Sequence, residues 1–332
     1  AYQHASYAEE VRLKQEQFRA LLTRAGADAD RLGPPLPAPQ AEGYRNRMEL
    51  HAQVDGATVR LGYYGADNRS VLDVPECPIV MPALNLLLAD LRPTPGFLAG
   101  LKDGTRVTLR WTERDGALWW LGRAGPRAVW LRERTPWGEL AVPRSSFFQV
   151  NPGVSAGLWA LVTEWLRLTA PETVVDLYCG VGVFALAAVG TGIGRVVGVD
   201  ADGEAIRAAE YNARQTGAGN VRWIAGPAAR TLAALHAELG GPRVTVIADP
   251  PRAGLGRRVV EELLRGAVQH RPSRRGLAAD LLRLTAPEAH DRDAVLRLTG
   301  LGRRACHGKT RPGRGRGEAS PARAVYAELA RG

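Results

Sequence analysis

Residues 173 to 200 constrain the fold more than any other stretch. The β-branched run TVVDL leads into a turn holding Gly180 and Gly182, then the apolar helix-like run FALAAV, then a second strand-like run, VVGVD, that ends on Asp200. Strand, tight turn, helix and strand in this order commit a chain to a parallel sheet, with ligands seated beyond the carboxyl ends of its strands. Glycines at the turn let the backbone approach a ligand closely. An acid roughly 20 residues beyond such a turn stands where it can bind both hydroxyls of a ribose. Asp200 occupies that place.

Gly180, Gly182 and Ala185 also satisfy the G-x-G-x-x-A form of a dinucleotide-binding turn. Charge separates the two readings. Asp176 closes the first strand, so a carboxylate is expected at the mouth of the loop, where it repels a pyrophosphate and attracts the ammonium and sulfonium of S-adenosylmethionine. The residues therefore favour S-adenosylmethionine over a nicotinamide dinucleotide.

The β and α patterns alternate from residue 145 to 265. A helix over about 153 to 168 precedes the first strand. The helix EAIRAAEYNARQTG, the strand NVRWIAG, a helix near 228 to 239 and the strand VTVIADPPR follow the second. Four parallel strands of a doubly wound, Rossmann-like α/β sheet are expected. Residues 33 to 144 read as a smaller α+β domain. Short β-like runs (MELHAQV, ATVRLGYY, SVLDV, RVTLRW, ALWWLG, AVWLRER) predict a mixed sheet, and PALNLLLADL predicts one helix at 82 to 91. Trp111, Trp119, Trp120, Trp130 and Trp137 lie among Arg110, Arg114, Arg123 and Arg132. Such aromatics either fill a core or stack on unpaired bases, and the core is the plainer reading. Residues 1 to 32 hold an amphipathic helix over 5 to 25, and GPPLPAPQAEG after it reads as a linker.

Residues 266 to 332 differ from the rest. They hold 14 Lys and Arg against 6 Asp and Glu, one aromatic residue and an Arg/Gly/Pro stretch, TRPGRGRGEASPAR. A helix over about 277 to 300 is expected and no good strand, so the fourth strand should form an edge of an incomplete sheet. The net charge of +10 comes largely from this tail. No run of eighteen apolar residues occurs, which excludes a transmembrane helix at the sequence level. Three scattered cysteines, Cys77, Cys179 and Cys306, exclude a disulfide framework and favour a reducing compartment, the cytoplasm by default. The opening AYQH, without Met or a signal-like segment, reads as a start within a longer protein. A monomer is expected.

FFQVN at 147 to 151, DLYCGVGVF at 176 to 184, VVGVD at 196 to 200 and DPPRAGL at 249 to 255, in this order and spacing, resemble the 5-methyluridine RNA methyltransferase family. QHASY at 3 to 7, YRNR at 44 to 47 and CP at 77 to 78 resemble it too, so the likeness covers residues 1 to about 265. It implies an RNA-binding β-barrel, absent here, then a central domain with an iron–sulfur cluster, then a Rossmann-like class I methyltransferase domain. It implies tRNA or rRNA as partner and S-adenosylmethionine as methyl donor. Residue by residue, it assigns cofactor contact to Gln149, Tyr178, Asp200 and Asp249.

Their chemistry agrees. The Gln149 amide can donate to a carboxylate and accept from an ammonium. Tyr178 can lay its ring against the cofactor. Asp200 can bind ribose, its plainer role being a helix N-cap. The prolines after Asp249 fix the turn that holds its carboxylate. Arg252 reads equally as an anion contact or a surface ion pair, Asn151 as an auxiliary residue, and Val183 stands where some family members carry a polar residue.

The reaction implied by the resemblance needs a thiolate that adds to uracil C6, so that C5 can attack the methyl group, and a base that removes the C5 proton. The resemblance places that cysteine roughly 25 residues after Asp249, where this chain has Arg274. Cys306 in RRACHGKT comes too late and lacks the expected flanks, Cys179 reads as a packing residue, and neither Glu318 nor Glu328 matches the expected base. The catalytic residues are therefore unassigned, and this chain is expected to bind its donor without transferring the methyl group. Its alternatives are a non-catalytic cofactor- or RNA-binding module and a methyltransferase of another substrate on the same fold. A frameshift after about residue 265 would account for the altered tail. Cys77 matches one ligand of the family's cluster, but one cysteine cannot build a four-thiolate site, so a [4Fe-4S] group is expected only in a longer form of the protein.

Overall fold

The computed structural model describes residues 4–24, 29–56, 58–122, 130–236, 238, 243–251, 253–269, 281–284, 294–298 and 326–328. In chain order, α1 (Tyr7–Arg24) and a 3-10 turn (Ala29–Arg31) lead into β1 (Arg47–Asp55), β2 (Thr58–Tyr64) and β3 (Val71–Asp73). Next come α2 (Pro82–Leu91), α3 (Pro95–Ala99), β4 (Arg106–Thr112), β5 (Gly116–Leu121), β6 (Trp130–Thr135) and β7 (Gly138–Pro143). The second half comprises α4 (Pro152–Thr169), β8 (Thr173–Leu177), α5 (Val183–Gly190), β9 (Arg195–Asp200), α6 (Gly203–Gln215), β10 (Val221–Ala225), α7 (Ala228–Leu235), β11 (Val244–Ala248) and α8 (Gly256–Gln269). It closes with β12 (Leu281–Leu284), β13 (Ala294–Leu298) and β14 (Tyr326–Glu328).

The first half forms a five-stranded sheet in the order β3-β2-β1-β4-β5 and a separate hairpin, β6-β7. Every pairing in that sheet is antiparallel, a correction to the mixed sheet expected from sequence: short connections return the chain directly from β1 to β2, β2 to β3 and β4 to β5, and β4 runs back along β1 after the two helices. Helix α2 has the expected bounds, and the short α3 beside it was not foreseen. Strand alternation sends Met48, Leu50, Val107 and Leu109 to one face, where they pack with Leu84, Leu88 and Phe97 of the two helices.

The second half is a seven-stranded sheet in the order β10-β9-β8-β11-β12-β13-β14. The pairings from β10 through to β12 are parallel and the last two antiparallel. Its central strands β8, β9 and β11 are buried on both faces. Val174, Val196 and Ile247 meet α4, α5 and α6, while Val175, Val197 and Ala248 meet α7 and α8. The expected fold class is present, but the sheet does not end at its fourth strand. Ala248 and its neighbours in β11 pair with β8 on one side and with β12 on the other. Strands β12 and β13 also lie inside the stretch expected to be helical. LLRL and AVLRL carry apolar residues that suit either period, and pairing with an existing sheet edge overrides a weak helical preference.

The hairpin β6-β7 joins the halves. The buried Asn212 of α6 accepts from the Ala141 amide (2.7 Å) and donates to the Ala141 carbonyl (3.0 Å) and to that of Val181 in the glycine turn (3.2 Å). On the other side, buried Arg110 of β4 bonds Glu133 of β6 and Asn46 (2.7 Å), and the Asn46 amide donates to Val150. Burial lifts the Glu133 carboxyl above its usual range against the pull of Arg110. Among the described residues, no helix is long and apolar enough to cross a membrane.

Candidate functional site

The site is built at the carboxyl ends of β8, β9 and β11. The turn after β8 reverses at Tyr178 (φ +64°), Gly180 (φ +54°) and Gly182 (φ +93°). A left-handed tyrosine is uncommon outside glycine, so this backbone is held by its surroundings. Gly182 starts α5, and a Cβ on it would lie 2.5 Å from the Trp223 ring. A Cβ on Gly198 of β9 would come within 2.4 Å of the same ring. The indole of β10 thus lies across two glycines and braces the turn from behind. Sequence reading saw Gly182 as a loop residue and missed Trp223, though an aromatic one strand over from a strand glycine was the available signal.

Asp200 ends β9. Its Oδ2 accepts from the Gly180 amide (2.8 Å) and its Oδ1 from the Asp202 amide (2.8 Å). The α6 N-cap is Asp202, which accepts from the Glu204 amide (2.9 Å) and the Ser146 hydroxyl (2.9 Å), so the capping role considered for Asp200 falls to its neighbour. Asp200 keeps spare acceptor capacity, since each carboxylate oxygen has two lone pairs.

Asp176 departs from expectation. It is fully buried, not exposed at the mouth of the loop, and its Oδ2 accepts from the Ala185 amide at the start of α5 (2.9 Å). Its other oxygen is buried without a partner among the described residues. Burial holds this carboxyl well above the usual range; the Ala185 amide opposes the shift and the charges of Asp249 and Asp200 add to it. The acids that reach the opening are therefore Asp200 and Asp249, both partly exposed where Asp176 is not.

Asp249 follows β11, with its amide donating to the Leu177 carbonyl (3.3 Å). Burial pushes its carboxyl up to about 7. Gln149 reaches it from the segment before α4, its Nε2 donating to Asp249 Oδ2 over 3.4 Å. Tyr178 donates its hydroxyl to the Leu255 carbonyl (3.4 Å), tying the glycine turn to the turn after β11; burial and the Asp200 charge raise its phenol. The four expected site residues thus converge on one end of the sheet. Asn151 instead caps α4, accepting from the Val154 amide (3.2 Å). Cys179 is buried, and burial with Asp176 and Asp200 pushes its thiol well up, which suits a packing role and not a nucleophile. Beside Gln149 opens a cavity of about 320 Å³, lined by Glu133, Arg134, Phe148, Ser155 and Trp159 among others.

Arg252, Arg274, Cys306 and Glu318 lie outside the described residues, and only the backbone is described for Glu328. Of the tryptophans, Trp120 is buried beneath Arg144, Trp130 packs edge-on to Tyr211, and Trp137 packs on Trp159. Cys77 is buried, its backbone pinned on both sides by Asn85, and no group of three or more His, Cys, Asp or Glu among the described residues could hold a metal ion. The cysteines present do not fit a four-thiolate cluster.

A relative from Halomonas elongata, a 23S rRNA (uracil(1939)-C(5))-methyltransferase, is 32% identical over 326 residues, covering 81% of this chain and 63% of the relative. Over most of its length the chain is thus similar to RNA uracil-C5 methyltransferases. The enzyme of the same description from Pseudomonas aeruginosa is 29% identical over 76% of this chain and 63% of its own length. An uncharacterized RNA methyltransferase of Thermosynechococcus vestitus is 27% identical over 79% and 69%. The chain thus spans about two thirds of the length of these family members. Residues 160–229 match the model of the ribosomal protein L11 methyltransferase family. Among solved structures, the tRNA (uracil-54, C5)-methyltransferase of Pyrococcus abyssi, in complex with S-adenosyl-L-homocysteine, superposes with a TM-score of 0.63 at 20% identity over 85% of this chain and 74% of its own. That likeness carries the class I methyltransferase fold.

Proposed function

We propose that this chain binds S-adenosylmethionine at the carboxyl ends of β8, β9 and β11, as part of a protein that methylates C5 of a uridine in tRNA or rRNA. The observation that carries the reading is the Gly180 amide, committed to Asp200. In a dinucleotide-binding turn that amide would face a pyrophosphate, whereas here an acid takes it, and a second acid, Asp249, stands across the opening. Two acids beside a glycine turn favour a cationic ligand that carries a ribose and no phosphate.

In this reading Asp200 holds the ribose hydroxyls with its remaining lone pairs. Tyr178 lies against the purine, and Gln149 and Asp249 receive the amino-acid end. When bound, the cofactor supplies a methyl group on an electrophilic sulfonium. Gln149 also lines the neighbouring cavity, which is the place this reading gives to the uridine. The central region over 33 to 144 and the basic balance of the chain favour an RNA partner. A cytoplasmic, monomeric protein is the accompanying expectation.

Transfer needs a thiolate at uracil C6. The resemblance places that thiolate where this chain has Arg274, and Cys179 in the glycine turn is buried with its thiol pushed up, so the chain is expected to bind the donor and leave uridine unmethylated. Calorimetry with S-adenosylhomocysteine tests the pocket: the unaltered chain should bind it, and Asp200→Ala should bind at least tenfold more weakly. Equal binding by both removes Asp200 from the site. Tritium release from RNA carrying 5-labelled uridine tests the second part, and turnover above background would overturn it.

A further inference from the structure

One face of the five-stranded sheet packs on α2 and α3, while the opposite face carries an aromatic and cationic array unrelated to the donor pocket. Directly paired residues share a face, so the register Gln53↔Arg60, His51↔Arg106 and Arg47↔Arg110 places these side chains together. The Glu133–Arg110 contact and the Arg144 guanidinium over Trp120 (5.0 Å) cover one end of this face. The other end is open. There Tyr64 is 41% exposed, and its ring stacks on His51 with centroids 4.2 Å apart and planes 30° apart. Around the stack stand Arg60, Arg106 and Arg47; among the described residues the acids that register brings to this face are Glu49, which pairs with Arg47 (3.4 Å) and Arg106 (3.3 Å), Asp73, which faces Gly62 and pairs with Arg92 (3.1 Å), and Asp55 at the far edge. Arg60 is exposed and has no ion pair among the described residues.

A paired aromatic stack costs little conformational entropy to present and offers its outer ring face to any base, because every base has a π-face. Arginines at strand spacing on both sides suit phosphates on either side of a stacked base. A double helix offers no unstacked base to such a platform. We propose that this open sheet face, centred on Tyr64 and His51, is a second contact for RNA, taking a single-stranded segment whose base stacks on Tyr64 while Arg60 and Arg106 hold its backbone. The inference rests on the reading of the protein as RNA-directed. It assigns that contact to residues outside the aromatic–arginine runs over 110 to 137 that the sequence brought forward.

Fluorescence anisotropy of a labelled single-stranded 12-nucleotide RNA against the full chain tests it. Tyr64→Ala should weaken binding roughly 5- to 100-fold, and Tyr64→Phe should restore it, as expected for stacking. Arg60→Gln should lower the slope of affinity against salt by about one. A duplex of equal length should be insensitive to Tyr64→Ala. Circular dichroism and S-adenosylhomocysteine binding, recorded on the same variants, separate this proposal from the donor pocket. Intact cofactor binding with unchanged RNA affinity in Tyr64→Ala overturns the platform alone. A self-associated form that Tyr64→Ala dissociates would assign the face to a second copy of the chain and overturn it equally.

Discussion

Asp249 is the residue whose environment most alters its chemistry. Its folded-state carboxyl titrates at about 7 against an ordinary value of 3.8, because burial disfavours its charged form. Between those values the folded chain holds a proton that the unfolded chain releases. The contribution to stability is therefore full below about pH 4 and declines as pH rises through 7. Urea unfolding followed from pH 4.5 to 8 should show that decline, and Asp249→Asn should flatten it; an unchanged slope in the variant would place the linkage elsewhere. Residue chemistry was legible in sequence for Gln149, Tyr178, Asp200 and Asp249 as types at the ends of strands. The burial of Asp176 was not. Its place at the end of β8 is shared with exposed strand-end acids, and only the Ala185 amide folding back over it distinguishes the two.

At the scale of elements, the hairpin β6-β7 depends on one amide. Asn212 satisfies both backbone groups of Ala141 from within a helix that faces the glycine turn. Asn212→Ala leaves that amide and carbonyl buried without partners, each worth about 1–3 kcal/mol, so a loss of about 2–4 kcal/mol in chemical denaturation is expected. Asn212→Asp should be no better, since a carboxylate cannot donate to the two carbonyls. A loss below about 0.5 kcal/mol in both variants would mean that the hairpin relaxes onto water. Strand β7 was overlooked in sequence because GELAVP lacks a run of β-branched residues and ends in proline, which fits a two-stranded edge. Helix α8 was overlooked in the same way, its Val259, Val260 and Leu263 following directly on the turn glycines Gly254 and Gly256.

For the whole molecule, the decisive correction concerns β11. A parallel strand with neighbours on both sides should protect its amides from exchange, and those of Val246 and Ile247 are expected to exchange as slowly as those of Val175 in β8. Fast exchange along β11 with protection at β8 would return it to the edge of the sheet. The parallel architecture was readable because four strands and their helices each carry a distinct period. The last three strands were not, because their short leucine-rich runs fit strand and helix alike, and only the exposed hydrogen-bonding edge of β11 decides between them. The stitching of the hairpin has a further consequence. Held to α6 through Asn212 and to β4 through Glu133, it fixes the separation between the open sheet face and the glycine turn. RNA seated on that face would reach the donor pocket at a set number of nucleotides from its anchor, so the molecule would act as a ruler, presenting a nucleotide to that pocket by distance along the strand.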